Sequence, residues 1–394
     1  MSMTPDSGSP TVEVSARGQQ RVALGHPWIY RSDVVGARAA AGDVVLVVGP
    51  RGWPVGRAFY SDRSQIALRM LTRGDAPVDA ALFRARLEAA LAFREALRLD
   101  ATACRLVHAE GDLLPSLIVD RYGDYLVVQA LSQAVDRLLP ALVQMLVDLV
   151  GPKGILARND PRARVLEGLD QRVEAVYGEV PEAIAVTEGG IAYDVDPWHG
   201  QKTGLFLDQR ENREAAARYA AGRLLDCFSY HGGFALRLAA HCTEVTALDV
   251  SEEAVARIAR NAARNGLTNV RAEAVNVFDD LRRLDRDGAR FETIVLDPPA
   301  FAKNKAAVPK ALTGYKEINL RALKLLTPGG YLVTCSCSYN VDEAMFLDVV
   351  HDAARDGGYD VTLVEKRMQG RDHPVLLGVP ETYYLKCLIL RKVG

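Results

Sequence analysis

The chain has 394 residues, of which 49% are hydrophobic and 25% charged, and its formal net charge is −2. That length predicts two or three domains, and the lack of any run of about 18 apolar residues argues against a membrane span. The near-neutral charge gives no overall sign of nucleic-acid binding, so an RNA-binding function requires basic residues concentrated in one domain. The six cysteines form no CxxC pair and no disulfide framework, which favours a cytoplasmic protein with reduced thiols and no metal site.

The N-terminal part is predicted to be a short leader followed by a small β-rich domain. Residues 1–10 lack the basic and apolar segments of a signal peptide and are expected to be disordered. In residues 11–74, Gly-Pro and Gly-Trp-Pro turns separate strand-like runs at 44–48 and 66–71.

This β-rich domain has a local excess of positive charge. Residues 11–72 contain eight Arg against four Asp or Glu, which gives a local charge of +4. Four ring-bearing side chains lie between them: His26, Trp28, Tyr30 and Trp53. Basic residues with aromatics suit contact with phosphates and stacked bases, which makes Arg17, Arg21 and Trp28 candidate RNA contacts. A solvated face above core aromatics explains the same residues equally well.

Residues 75–194 are predicted to form a mixed α/β domain. Helical periodicity covers 83–97, and a second helix is expected at 138–150. The turn DRYGD at 120–124 separates two β-branched runs and predicts a hairpin. Another hairpin is expected to turn at 188–190. We assign no chemistry to this domain.

From residue 195 to 394, strands and helices alternate, which predicts a mostly parallel, doubly wound sheet. The expected strands are 223–228, 245–249, 270–275, 294–297, 331–334, 359–364 and 383–390. The last two strands have no helix between them, so the final strand is expected to be antiparallel to its neighbours.

The first strand-to-helix turn of this region, DCFSYHGGF at 226–234, contains two glycines. Glycines there let a ligand approach the backbone, and the lack of a GxGxxG pattern argues against a dinucleotide. Asp249 ends the next strand, 23 residues after Asp226, where a carboxylate can accept two ribose hydroxyls. A strand-end Asp is often only a helix cap, but the pairing within one βαβ unit favours a bound nucleoside.

Two later strands also end in reactive side chains. Asp297 is followed by the rigid pair Pro298 and Pro299, and the next strand carries Cys335 and Cys337. Because parallel strands end at one edge of a sheet, we expect these groups to face one pocket, with Cys337 as a nucleophile. Cys335 lies about 6–7 Å further back along its strand, where both faces are covered, and is expected to be an inert core thiol. The alternative is that both cysteines only pack.

These segments together resemble a known enzyme family. Residues 17–34 (RGQQRVALGHPWIYRSDV) and 42–60 are similar to a PUA-type RNA-binding domain, and 111–129 to a small central α/β domain. The segments DCFSYHGGF, TALDVSEEAV and LDPPAF resemble the cofactor motifs of class I methyltransferases, and TCSCS resembles an SCS motif. The family is the bacterial 23S rRNA (cytosine-5) methyltransferases of the large-subunit rRNA methyltransferase I type. The resemblance implies a seven-stranded Rossmann-like domain, S-adenosyl-L-methionine as cofactor and 23S rRNA as partner.

The resemblance also implies site residues. The segment GQKTGLFLDQRENR at 200–213 is similar to one over the methionine end of the cofactor, which implies contacts from Phe206, Asp208 and Arg210. The other implied cofactor contacts lie at strand ends: Asp226, Phe228, Ser229, Tyr230, Gly232, Asp249, Asn276, Val277 and Asp297. Asn276 replaces an acidic residue usual near the adenine, so an altered affinity is expected. Pro298 and Pro299 are expected to contact the RNA. The lysine after the turn, Lys303, is a candidate phosphate contact, although a solvated loop explains it equally well.

The implied reaction needs a nucleophile, because carbon 5 of cytosine is too weakly nucleophilic to accept a methyl group unaided. A thiolate that adds at carbon 6 activates carbon 5. Cys337 matches the family's nucleophile, and Asp297 is expected to hydrogen-bond the cytosine ring. Ala300 stands where other RNA 5-methylcytosine enzymes carry a second cysteine, so the base that removes the carbon 5 proton is unassigned.

Two other functions stay open from the residues. N-methylation of a purine amine requires Asp297 but no cysteine, and a non-catalytic RNA-binding assembly factor requires neither. The sequence does not give the oligomeric state, and a homodimer is one option.

Overall fold

The computed structural model describes residues 10–393, so nearly all of the predicted leader lies outside the described residues. The chain divides into two compact units. Unit 1 contains the chain up to Ile184 together with Val195–Leu205 and Asp372–Thr382. Unit 2 contains Ala185–Asp194, Phe206–Arg371 and the chain from Tyr383 onward. Among the described residues, no helix is both long enough and apolar enough to span a membrane.

The first part of unit 1 is a six-stranded sheet, which confirms the predicted β-rich domain. Its strands are β1 (Thr11–Val14), β2 (Trp28–Tyr30), β3 (Val34–Arg38), β4 (Val44–Val48), β5 (Pro54–Tyr60) and β6 (Ile66–Met70), with helix α1 (Ala16–Ala23) after β1. They lie in the order β2-β6-β5-β4-β1-β3. The valines of β1 and β4 supply much of the core: Val12, Val14, Val45 and Val47 are fully buried.

The second part of unit 1 is a five-stranded sheet with two long helices. Its elements are α2 (Ala80–Ala96), β7 (Ala103–His108), β8 (Leu117–Tyr122), β9 (Tyr125–Ala130), α3 (Gln133–Val150), β10 (Gly154–Asn159), α4 (Ala163–Leu166) and β11 (Arg172–Gly178). The strand order is β11-β10-β9-β8-β7, and β8 and β9 form the predicted hairpin. Both long helices begin three to five residues before the predicted starts, because their first turns are polar or Ala-rich and carry little apolar periodicity. The side chain of Asp79 caps α2 by accepting from the backbone N–H of Leu82.

Unit 2 is built on a seven-stranded sheet, preceded by the hairpin of β12 (Ile184–Glu188) and β13 (Ile191–Val195). Its strands are β14 (Arg223–Cys227), β15 (Glu244–Asp249), β16 (Val270–Ala274), β17 (Phe291–Leu296), β18 (Leu326–Ser336), β19 (Val361–Arg367) and β20 (Lys386–Lys392). Its helices are α5 (Arg210–Ala217), α6 (Gly233–Leu238), α7 (Glu252–Arg264), α8 (Val277–Arg286), α9 (Val308–Leu325) and α10 (Glu343–Gly357).

The sheet order is β16-β15-β14-β17-β18-β20-β19, and β20 runs antiparallel to both of its neighbours. This confirms the doubly wound fold and the antiparallel last strand. The order reverses between β14 and β17, the switch point at which such sheets bind ligands beyond the carboxyl ends of their strands. The three-domain division at 74/75 and 194/195 stays a prediction.

Candidate active site

The loop after β14 is organised by a buried carboxyl group. Asp226 is 1% exposed, and its Oδ2 accepts hydrogen bonds from the Ser229 hydroxyl at 2.5 Å and the Ala235 backbone N–H at 2.9 Å. Burial raises the pKa of Asp226 to about 7 against the effect of these hydrogen bonds, and the carboxylates of Asp297 and Asp249 raise it further. Asp226 therefore holds the loop from within.

The same loop contains three residues in the left-handed region. Phe228 has φ 63°, Tyr230 has φ 52° and Gly232 has φ 85°. A non-glycine residue there is strained, and such strain persists where the surroundings hold it. The predicted contacts Phe228 and Tyr230 are both partly exposed, so neither ring is enclosed in the core.

Asp249 at the end of β15 ties the two neighbouring strand ends together. Its Oδ2 accepts from the Tyr230 backbone N–H at 2.9 Å, and its Oδ1 accepts from that of Ser251 at 3.0 Å. Each carboxylate oxygen has a second lone pair, so the group still has acceptor capacity for two hydroxyls. Asn276, in contrast, is exposed and caps α8 through its Oδ1, which accepts from Phe278 N at 3.0 Å and Asp279 N at 3.4 Å.

The donor and acceptor set at these strand ends fits a nucleoside sulfonium. Asp249 is the acidic acceptor for a ribose, while the half-buried Phe228 and the buried Val277 supply apolar surface for a base. At Gly232, a Cβ atom would approach Leu236 Cγ to 3.1 Å, so the tight turn at the start of α6 requires glycine.

The carboxylate of Asp297 is held by a relay that the sequence analysis did not single out. Gln209 donates from Nε2 to Asp297 Oδ1 at 2.9 Å, and its own Oε1 accepts from Asn212 Nδ2 at 2.7 Å. Both amides are buried, at 2% and 1% exposure. Because Asn212 donates to the carbonyl side of Gln209, the amide of Gln209 is oriented with its donor toward the carboxylate. Gln209 and Asn212 lie within the segment 200–213, but their spacing alone carried no signal.

The other residues predicted from that segment lie beside the β14 loop. The Phe206 ring packs edge-on against Tyr230 at 5.3 Å between centroids, and the Phe206 carbonyl accepts from Arg213 at 3.1 Å. Asp208 accepts from the Tyr384 hydroxyl at 2.7 Å. Arg210 is buried with its Nε 3.8 Å from a carboxylate oxygen of Glu188. The predicted residues therefore come together, with the buried carboxylate of Glu188 from β12 and the hydroxyl of Tyr384 from the stretch before β20 as partners.

The two cysteines differ in exposure as the depth argument expected. Cys335 is fully buried opposite Cys387 on β20, and burial, followed by the neighbouring Cys387, raises the pKa of its thiol. Cys337 lies just beyond β18 and is partly exposed. Its Sγ lies 3.8 Å from the carbonyl oxygen of Pro298. The end of β18 and the Asp-Pro-Pro turn therefore meet, and the accessible thiol is at their contact.

A buried hydroxyl cluster fixes that contact and was missed in the sequence. The Ser338 hydroxyl accepts from the Ala302 backbone N–H at 3.1 Å and shares a hydrogen bond with the Tyr315 hydroxyl at 2.9 Å. The Ser336 hydroxyl donates to the same Tyr315 oxygen at 3.0 Å. The two serines that flank Cys337 do not indicate in the sequence that both would hydrogen-bond Tyr315 on α9, 21 residues before Ser336.

The predicted RNA contacts differ in their surroundings. In unit 1, Arg17 pairs with Asp33 at 2.6 Å while 64% of its side chain stays exposed. Arg21 lies over the Tyr30 ring at 4.7 Å, and Trp28 donates to Glu110 at 3.0 Å. In unit 2, Pro298 is buried, whereas Pro299 and Lys303 are exposed. Their RNA contacts stay predictions.

Comparison with known proteins gives consistent results. A model of the S-adenosylmethionine-dependent methyltransferases matches residues 104–391, and a model of the PUA-like domain matches residues 12–73. "Ribosomal RNA large subunit methyltransferase I" from Tolumonas auensis is 42% identical, with 98% of this chain and 100% of that protein covered. The protein of the same name from Klebsiella pneumoniae is 40% identical, with 95% and 96% covered.

Solved structures show the same fold. A SAM-dependent methyltransferase from Streptococcus mutans superimposes with a TM-score of 0.83 at 20% identity, covering 97% of this chain and 99% of that chain. Another methyltransferase, solved as a complex with SAH, has a TM-score of 0.84 at 21% identity, with the same coverage of both chains.

The match to the family model and the nucleoside-compatible strand ends agree on the cofactor, S-adenosylmethionine. The chain belongs to the S-adenosylmethionine-dependent methyltransferase family, in the group that contains the ribosomal RNA large subunit methyltransferases I.

Proposed function

We propose that the protein methylates carbon 5 of a cytosine in 23S rRNA through a covalent adduct with Cys337. The observation that carries this proposal is the partly exposed Cys337 thiol, 3.8 Å from the backbone carbonyl of the Asp-Pro-Pro turn that also bears Asp297. The names of the curated relatives support large-subunit ribosomal RNA as the substrate. The PUA-like match over 12–73 supports an RNA-binding role for unit 1.

Each residue of the site has a separate task in this mechanism. The cofactor supplies an electrophilic methyl group on a sulfonium. Cys337 adds as a thiolate to carbon 6 of a cytosine turned out of its stack, which makes carbon 5 nucleophilic. Asp297, oriented by Gln209, hydrogen-bonds the ring and stabilises the charge that develops on it. Carbon 5 then takes the methyl group from the sulfonium, which leaves as a neutral thioether. Loss of the carbon 5 proton to a base expels Cys337 and restores the aromatic ring.

The test compares Cys337→Ala with Cys335→Ala. Ribosomal RNA from cells that lack the protein is incubated with each variant and labelled cofactor, and its nucleosides are separated by mass spectrometry. We expect Cys337→Ala to form no 5-methylcytidine. Cys335→Ala should keep at least about a tenth of the wild-type rate, because its buried thiol contacts Cys387 and Gln209 and has no access to solvent.

Unchanged 5-methylcytidine formation by Cys337→Ala contradicts the mechanism. An N-methylated purine in the wild-type reaction, formed equally by Cys337→Ala, identifies the protein as an amine methyltransferase instead. Binding of the cofactor is measured by calorimetry on the same samples, because no binding by the wild type identifies a non-catalytic RNA-binding factor.

A further inference from the structure

The lysine at the start of β20 lies next to the proposed nucleophile. Lys386 pairs with Ser336 across the β18–β20 ladder and is 1% exposed. Its Nζ donates to the Ser338 carbonyl at 2.8 Å and to the Tyr384 carbonyl at 2.9 Å. Cys337 therefore lies between Ser336, which pairs with Lys386, and Ser338, whose carbonyl accepts from the Lys386 ammonium.

This ammonium has fewer partners than its charge requires. It has three N–H donors and uses two of them on neutral carbonyls. Across residues 10–393, no carboxylate oxygen lies within 4.0 Å of its Nζ, the limit for an ion pair. A buried charge without a counter-charge is costly.

The acidic groups near Lys386 are engaged elsewhere. Glu343 accepts from Lys366 at 2.6 Å and from the Tyr383 hydroxyl at 2.7 Å. Asp342 is exposed and caps α10 through the Met345 backbone N–H at 2.8 Å. Burial lowers the pKa of Lys386 to about 8. Three neighbouring groups act in the opposite direction and raise this pKa, and the effect of Cys337 is larger than that of Asp342 or Glu343. The hydroxyl of Tyr315, which also lies near Cys337, adds no charge at neutral pH because burial raises its pKa.

We propose that Lys386 is a positioning residue that stabilises Cys337 as a thiolate, so that the buried ammonium and the nucleophile serve as each other's counter-charges. The inference rests on the proposed role of Cys337 as the nucleophile. The thiol proton leaves to solvent, Lys386 keeps all three of its protons, and no bond to the lysine forms or breaks. A nearby cation favours the thiolate by this direct electrostatic attraction.

A lysine with only a structural role would make the same hydrogen bonds as Lys386. The experiment therefore separates the effect of the positive charge from the effect of the hydrogen bonds. Lys386→Gln keeps N–H donors and removes the charge, whereas Lys386→Arg keeps the charge. Lys392 is a matched control on the same strand: it is 5% exposed, and its Nζ donates to the Leu323 carbonyl at 2.8 Å and the Leu326 carbonyl at 2.9 Å.

The readout is the rate of alkylation of Cys337 by iodoacetamide from pH 5.5 to 10, measured on the full chain by mass spectrometry of its peptide. For the wild type we expect the midpoint of the pH profile of alkylation to lie below about 8.5, the pKa of an ordinary cysteine thiol. We expect Lys386→Gln to raise the midpoint by about one pH unit and to slow alkylation about tenfold near neutral pH. Lys386→Arg and Lys392→Gln should stay near the wild-type profile.

An unshifted midpoint in a folded Lys386→Gln variant overturns the proposal, as does an equal shift in Lys392→Gln. If Lys386→Gln does not fold, the wild-type profile decides, because a midpoint at or above the ordinary value also overturns it. Alkylation needs neither cofactor nor RNA, so this result is independent of the methylation assay. If Lys386→Gln shifts the alkylation profile but Cys337→Ala still methylates the RNA, the proposed function is wrong, whereas the ion pair between Lys386 and Cys337 is supported.

Discussion

At the scale of single residues, the carboxyl of Asp226 illustrates the cost of building this site. Its Oδ2 has two donors, but its Oδ1 is buried without a hydrogen bond partner among the described residues. With a pKa raised to about 7, the group is protonated in the folded protein at pH values where it is ionised in the unfolded chain. Ionisation therefore opposes folding.

The folded protein is expected to lose stability as Asp226 ionises. Protonation of Asp226 stabilises the folded protein fully at pH values below the pKa of the group in the unfolded chain, near about 4. This stabilisation, which amounts to at most about 4 kcal/mol, is lost as the pH rises toward 7. Asn at this position keeps an acceptor for Ser229 and Ala235 but does not ionise. We expect the Asp226→Asn variant to lose less thermal stability than the wild type between pH 5 and pH 8. Thermal midpoints measured across that range check this, and parallel pH profiles for the two proteins would contradict it.

Some of the site could be predicted from single residues, and some could not. The different depths of Cys335 and Cys337 followed from strand geometry, because position along a buried strand determines access to solvent. Lys386 could not be found this way, since a lysine opening a strand is usually an exposed edge residue. Only the pairing of β20 with β18 brings it beside residue 337, 49 positions earlier.

At the scale of elements, the hairpin of β12 and β13 is joined to helix α5 by a buried ion pair. Arg213 donates to both carboxylate oxygens of Glu188 at 2.7 Å, and the two side chains are 3% and 7% exposed. The same guanidinium donates to the Phe206 carbonyl, so the pair also supports a predicted cofactor contact. The sequence indicated the hairpin from its Gly-Gly turn, but not that the residue before the turn pairs with a helix 25 positions later.

Removing one member of this pair is expected to cost more than removing both. Glu188→Ala leaves a buried guanidinium without its counter-charge, which typically costs about 3–5 kcal/mol. The double variant Glu188→Leu with Arg213→Met replaces the pair with apolar side chains and should lose less, while the loss of the Glu188 carboxylate near Arg210 is common to both variants. Denaturant unfolding of the three proteins measures the difference. A double variant as unstable as Glu188→Ala would contradict the expected coupling.

Element boundaries were predictable only where apolar periodicity marked them. Helix α9 begins at Val308, and Pro309 lies in its first turn, the part of a helix in which proline is tolerated. The central strands β14, β15 and β17 were located within three residues because both of their faces are buried, which makes each one a nearly continuous apolar run. The edge strands β16 and β19 are partly exposed and contain charged residues.

At the scale of the whole molecule, the order of the sheet was predictable, but the path of the chain between the units was not. Asp372–Thr382 belongs to unit 1, although the residues on either side belong to unit 2. Within unit 1, Asp372 accepts from the Arg105 backbone N–H at 2.9 Å, and its carbonyl accepts from Arg94 at 2.7 Å. Local sequence patterns cannot indicate hydrogen bonds that span 267 and 278 positions.

The Asp372→Ala variant tests the importance of this segment for unit 1. We expect loss of the carboxylate to remove the acceptor that the backbone N–H of Arg105 in β7 has in this segment, at a cost of about 1 kcal/mol. Hydrogen exchange followed by mass spectrometry should show faster exchange in β7 and β8, with β14 and β15 of unit 2 as the internal control. Unchanged exchange in β7 would show that the segment does not stabilise unit 1.

The placement of Asp372–Thr382 also has a consequence for the order of events on the ribosome. Domains generally fold as they emerge, starting from the N-terminus. The strands and helices of unit 1 are all synthesised by residue 178, yet Arg94 and the N–H of Arg105 receive their last partners only when residue 372 has emerged. During most of the synthesis of unit 2, the buried Arg94 therefore lacks one of its native acceptors, and unit 1 reaches its final stability only after residue 372 has emerged.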